Sequence, residues 1–451
     1  MSSDPRGLQH DRAASQPFLY SKTAGPDAPT AADAATPPLP SGSRDPLQQH
    51  YPGLRTGRDF LDWAGAKAAA EAHFAALALR IDTTARRRTD DLERLQQQRL
   101  AAAAALEQEG ARDNGLWGLM TPEVFGWVLP GKDVASALAL AKKIQEHLNA
   151  AAGLTLTIGL AGYPCLRYTP GDVLANARKA LDHALFLGPG GRACFDAVSL
   201  NISGDRHYDT GEIDLAVREF RNALRLDPKN VNVLNSLGVC FGVQQNYPKA
   251  LTAFQAALKI NPDEILALYN AGLVNLLMDQ RDKALQFWLK AAPLGRDVFE
   301  LHFQAGKLLL EADRPEKAQK LLQQAAELKP ESALVQRLLG DAFRVQRLLD
   351  DAVGPYQKAL RLHPNDAHAL SGLGRCYELK NENLDIALAF CRQSVEIMPD
   401  NSRFHLRLAR LLKKTGQPDE ALKAYRKAAS LGEEVQAAIQ DLEERCVEKA
   451  S

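Results

Sequence analysis

The sequence predicts a multidomain chain, an α/β domain followed by an all-α solenoid of stacked helix pairs, and three observations carry that prediction. Glycines recur every 34 residues, at Gly204, Gly238, Gly272, Gly306, Gly340 and Gly374. Alanines keep the same interval at Ala216, Ala250, Ala284, Ala318 and Ala352, then resume at Ala387 and Ala421 after one inserted residue. Before residue 197 the beat is absent, and short β-rich runs alternate with helix-period segments. A fixed period of this size marks repeats that bury their apolar faces only against one another. Strand–helix alternation marks a sheet with helices packed on it.

Each unit of the array reads as two helices, the first carrying the glycine and the second the alanine. Small side chains at both places predict a close helix crossing. A second small row, Ala223, Ala257, Ala291, Ala325, Ala359, Ser394 and Ala428, lets the next unit stack. Phe220, Phe254, Trp288, Leu322, Tyr356 and Tyr425 fill the space between. Pro228, Pro262, Pro330, Pro364 and Pro399 end most units, because proline disfavours helix in the residue before it. This small–large–aromatic–small–proline order resembles the tetratricopeptide repeat (TPR). The resemblance spans 197–435 as seven units, the sixth one residue longer in its turn and the seventh with Ala409 in place of glycine. Residues 436–451 read as a capping helix, with Val435, Ile439, Leu442 and Cys446 along one apolar stripe.

Residues 1–50 hold eight of the 24 prolines and no sustained apolar period, which predicts a disordered tail. From 51 to 196 the pattern predicts a strand at 73–81, a helix at 89–108, two short strands at 116–120 and 124–129, a helix at 133–151, a strand at 154–160, a helix at 171–187 and a last strand at 193–195. Within it, Gly53-Leu54-Arg55-Thr56-Gly57-Arg58, Val124-Phe125 with Trp127-Val128-Leu129-Pro130-Gly131, Leu156-Thr157-Ile158-Gly159 and the Ala177–Arg192 stretch resemble, in order, the GGDEF domain of diguanylate cyclases.

That resemblance implies a nucleotide-binding fold but not its chemistry. The family's signature loop is replaced by Thr121-Pro122-Glu123-Val124-Phe125. Pro122 lacks a backbone donor and Val124 cannot ligate a hard cation, which wants oxygen. The family's acid-x-acid strand reads Arg80-Ile81-Asp82, and Arg112-Asp113 stand where its inhibitory product site needs a spaced pair. A degenerate, inactive domain is therefore expected, with no catalytic, cofactor or metal residues. Asp82 and Glu123 are read as surface carboxylates and Arg86-Arg87-Arg88 as a solvated helix start.

Zero net charge excludes a global case for nucleic acid or an anionic membrane. No stretch of 18 apolar residues and no basic-then-apolar leader occur, so a soluble cytoplasmic protein without membrane insertion is expected. The six cysteines are scattered singly, and Cys240 and Cys376 read as small apolar fillers. Counting inward positions of the first helices gives a candidate peptide groove. Leu266, Tyr269, Leu273 and Phe303 form an apolar stretch, followed by Lys307, Arg337, Arg344, Arg375 and Arg410 for an acidic segment. The function expected is a bacterial signalling scaffold or adaptor that binds a protein or peptide partner. The alternatives are a GTP- or cyclic di-GMP-sensing effector gating the repeats, and an active cyclase.

Overall fold

Strand β1 (Phe74–Ile81) is apolar on both faces because both are covered. Side chains alternate across a strand, so Ala75, Leu77, Leu79 and Ile81 enter one core while Phe74, Ala76 and Ala78 enter the other. The structure is a computed structural model that describes residues 18, 45–82 and 90–450. The chain divides into two units, 1–270 and 271–451.

The first unit contains α1 (Pro46–His50), α2 (Gly57–Ala68), β1, α3 (Asp90–Asp113), β2 (Leu116–Thr121), β3 (Val124–Pro130), α4 (Val134–Ala152), β4 (Leu156–Tyr163), α5 (Val173–Phe186) and β5 (Arg192–Cys194). Their sheet runs β2-β3-β1-β4-β5, antiparallel except for β4 with β5. One core is formed with α3 and α4, the other with α2 and α5. The predicted elements are present, with ends displaced by a few residues. The tail prediction fails for its last residues: Asp45 caps α1, accepts from Arg99 at 2.9 Å, and Leu47 is 1% exposed in the sheet core. The Arg86–Arg88 run lies outside the described residues.

The same unit continues into α6 (Ala197–Asp209), α7 (Ile213–Leu226), α8 (Val231–Val243), α9 (Tyr247–Ile260) and the start of α10 (Ile265–Leu277). The sheet domain docks on the first helix pair. Lys179 bonds Glu219 at 2.8 Å, Arg206 bonds Asp182 at 2.8 Å, and Asn222 donates to the Tyr168 hydroxyl at 3.0 Å. Apart from the end of α10, the second unit holds α11 (Arg281–Ala291), α12 (Phe299–Glu311), α13 (Pro315–Leu328), α14 (Ala333–Val345), α15 (Leu349–Leu362), α16 (Ala367–Lys380), α17 (Leu384–Ile397), α18 (Ser402–Lys414), α19 (Pro418–Ser430) and α20 (Gln436–Ala450). Helices α6 to α19 are the seven predicted pairs and α20 the predicted cap. Val435, Ile439 and Leu442 are buried as expected, while the Cys446 side chain lies outside the described ones.

The glycine row works differently from its prediction. A Cβ on Gly204 would lie 2.5 Å from Phe220 Cε1, and one on Gly238 2.5 Å from Phe254 Cε1. At four of the six places the void is filled by a ring of the second helix, and at Gly306 by Leu322, so glycine there makes room for a large side chain rather than for a small–small crossing.

Candidate functional site

The predicted groove residues fall on both units. In the first, Leu266 is half-buried and Tyr269 is 2% exposed. In the second, Leu273 is buried, and Phe303 is half-buried and stacked on Phe299 with centroids 5.7 Å apart. Lys329 caps the Phe299 ring at 4.0 Å. Lys307 and Arg410 are exposed.

Three predicted arginines already have carboxylate partners. Arg337 pairs with Asp341 at 3.4 Å and Asp366 at 3.3 Å, Arg344 with Asp341 at 3.1 Å, and Arg375 with Glu378 at 2.5 Å. Spacings of three and four residues on one helix place these groups on the same face. Arg344 also donates to the Tyr356 hydroxyl at 3.0 Å, which itself donates to Asp341 at 2.7 Å. Burial alone would lower the Arg344 pKa, but Tyr356 and Asp341 raise it above the usual arginine value.

The second unit holds a cavity of about 630 Å³ lined by Arg344, His368, Asp400, Arg403, Phe404 and Arg407, among others. Arg407 is the residue that the groove reading missed. Its guanidinium donates to Ser371 Oγ at 2.7 Å, and no ion pair joins it to a carboxylate among the described residues. Burial, and then the Arg344 charge, lower its pKa. His368 is lowered by burial and then by Arg337, and its ring meets Phe404 edge-on at 5.1 Å. The available signal was Arg403 and Arg407 one turn apart on α18. What could not be read was that the arginines on α14 and α16 would be neutralised locally while Arg407 would not.

In the sheet domain, Arg80 stands opposite Val124 on β3 and Thr157 on β4. Asp82 accepts from Thr157 Oγ1 at 2.6 Å and from the Gly190 N–H at 2.7 Å, so this carboxylate ties β1 to β4 and to the turn before β5. It is half-buried rather than a surface group, and burial raises its pKa against those hydrogen bonds. Among the described residues, no three His, Cys, Asp or Glu side chains gather as a metal site. Also among them, no helix is long and apolar enough to cross a membrane. Burial pushes the Cys240 thiol up to about 12, in keeping with a filler role.

Comparison with known proteins places TPR repeats on this chain. A family profile described as "Tetratricopeptide repeat" matches residues 203–287 and 303–367, and a second of the same description matches 378–446. Among solved structures, YrrB, titled a TPR protein with an unusual peptide-binding site, is 22% identical with a TM-score of 0.40, over 43% of this chain and 97% of its own. Pseudomonas aeruginosa pilF is 18% identical with a TM-score of 0.38, over 48% of this chain and 97% of its own. A TPR protein from Parabacteroides merdae is 17% identical with a TM-score of 0.35, over 55% and 96%. No curated protein matches. The repeats suggest a protein–protein interaction scaffold.

Proposed function

We propose that this chain is a cytoplasmic bacterial signalling scaffold whose repeats hold a protein or peptide partner bearing an acidic group, beside a GGDEF-like domain without cyclase chemistry. The observation that carries the reading is Arg407, a half-buried cation without a carboxylate ion pair of its own, in a cavity where Arg344, Arg403 and His368 stand beside Glu311, Asp313, Asp341 and Asp400. Partial burial already strips water from the Arg407 guanidinium, so a carboxylate or phosphate entering that cavity gains a charge-assisted hydrogen bond. Phe303 and Lys307 supply a half-buried ring and an exposed cation elsewhere on the second unit. Support for the inactive GGDEF-like domain is the order of its elements together with Val124 and Arg80 at the positions where the resemblance demands oxygen ligands.

The test is affinity capture from a bacterial lysate by the full chain, followed by titration of the captured partner. Arg407→Gln should weaken binding by about 2 kcal/mol, in the range for truncating one side of a buried charge pair. Phe303→Ala should cost about 2 kcal/mol if the ring is an anchor. Unchanged affinity in both variants overturns the groove reading. Incubation with GTP and Mg²⁺ or Mn²⁺ should give no cyclic di-GMP, and its appearance above a no-protein control overturns the inactive-domain reading.

One observation favours the nucleotide-sensing alternative. Arg80 Nη1 is buried without a hydrogen-bond partner, and Arg178 and Arg206 share its electrostatic environment around Asp182. Calorimetry of the full chain with GTP and with cyclic di-GMP separates the readings, since saturable binding lost in Arg80→Ala would establish an effector.

A further inference from the structure

Gly242 breaks a row. Counted in steps of 34 along the first helices, its counterparts are Tyr208, Leu276, Leu310, Arg344 and Glu378, and Lys413 after the inserted residue. Every one of them is large. Gly242 is also off the packing-glycine beat, lying four residues beyond Gly238, whose missing side chain is replaced by Phe254. Helical glycine costs about 1 kcal/mol relative to alanine, so a glycine inside α8 off the packing row calls for another occupant.

That occupant is Phe18. A Cβ built on Gly242 would lie 2.7 Å from Phe18 Cε1 and 2.9 Å from Cε2, and its three nearest neighbours are all atoms of this ring. Phe18 is 4% exposed, although it belongs to the stretch whose composition predicts no core of its own. In sequence it sits in Pro17-Phe18-Leu19-Tyr20, the densest apolar run of the first 44 residues. Two turns back along α8 from Gly242, on the same side of the helix, Asn235 is 2% exposed and accepts from Asn270 Nδ2 at 3.0 Å. The ring therefore lies on the side of α8 that carries this buried amide pair.

We propose that the segment carrying Phe18 is a built-in ligand of the repeat array. Its phenylalanine occupies the notch left by Gly242, and an outside peptide with an aromatic anchor binds this part of the array only by displacing it. The inference rests on the reading of the repeats as a binding scaffold and names a regulator of it. A tethered ligand competes at an effective concentration set by its linker, so the apparent affinity for an outside peptide falls by the fraction of time the notch is empty.

The probe is a fluorescein-labelled synthetic peptide of residues 12–25, titrated by fluorescence anisotropy against the full chain. Phe18→Ala frees the notch and should bind the probe at least about tenfold more tightly than the wild type. Adding Gly242→Ala to that variant should abolish the gain, because the new methyl group takes the space of the ring. Alanine raises helix propensity here, so the double variant should melt no lower than Phe18→Ala, and lost binding cannot be ascribed to unfolding. Failure of the probe to bind Phe18→Ala, or equal binding by the double variant, overturns the proposal. Either result leaves the Arg407 cavity to be judged by its own titration.

Discussion

At Gly272 an added methyl group would stand 2.6 Å from Trp288 Cδ1, whereas at Gly374 the nearest atom would be Cys391 Sγ at 3.0 Å. Overpacking costs roughly 1–3 kcal/mol, so Gly272→Ala should fall near the top of that range and Gly374→Ala near the bottom, compared by urea midpoints. The glycine beat was plain in the sequence, but its partner was misread, because spacing shows which residues recur and not which ring enters which gap. The turn inside each pair was less legible still. Gly211, Gln245, Asp279, Asp313, Arg347, Asn381 and Gly416 all take a left-handed backbone there, and only the first and last are glycines. Of the five others, at φ between 54° and 64°, Asp279, Asp313 and Asn381 are types that tolerate this backbone, while Gln245 and Arg347 carry no such mark. A Cβ on Gly416 would meet nothing within 4 Å, so the cost of Gly416→Ala is backbone strain alone, about 1 kcal/mol.

Helix α6 is capped by Asp196, whose carboxylate accepts from the Ser199 N–H at 2.8 Å and faces His183 at 3.5 Å. Burial alone would raise the Asp196 pKa, but the hydrogen bonds of His183 and Ser199 win and lower it. A lowered pKa means that this carboxylate stabilises the fold above its unfolded pKa and loses that effect as pH falls through the folded value. Asp196→Ala should therefore cost about 1 kcal/mol at neutral pH, and the gap from wild type should close on acidification, as followed by thermal melts across a pH series. At the other end, α20 covers the last pair through Ile439 and Leu442, helped by Arg426–Glu443 at 2.7 Å. Ile439→Ala should cost about 2 kcal/mol or more, and deletion of 436–451 should lower the melting temperature. This cap was readable from one apolar stripe. The arginine pairs on α14 and α16 were not, because the same three- and four-residue spacings describe both a cationic surface and a neutralised one.

The sheet domain and the first helix pair meet through Lys179–Glu219 and Arg206–Asp182, side chains that sit largely out of solvent apart from Arg206. A fragment starting at residue 197 loses those partners. Hydrogen exchange should show α6 and α7 less protected in 197–451 than in the full chain, with α12 to α19 unchanged; equal protection of α6 and α7 would show that the pair needs no support. The expected boundary near 196 rests on where the 34-residue beat starts, but the docking could not be read, since it depends on residues from 24 to 54 positions apart with no shared period. Within the second unit, by contrast, the ion pairs between helix pairs are regular: Arg281–Glu311, Arg337–Asp366, Lys380–Asp350, Arg392–Glu420 and Lys413–Asp441 each reach about one repeat along the chain. Strand β1 must instead wait for β4, pairing Phe74 with Tyr163. Short loops close at lower entropic cost and local contacts form faster. During synthesis each helix pair can thus settle as soon as the next has left the ribosome, while the sheet domain, although made first, has the longer search.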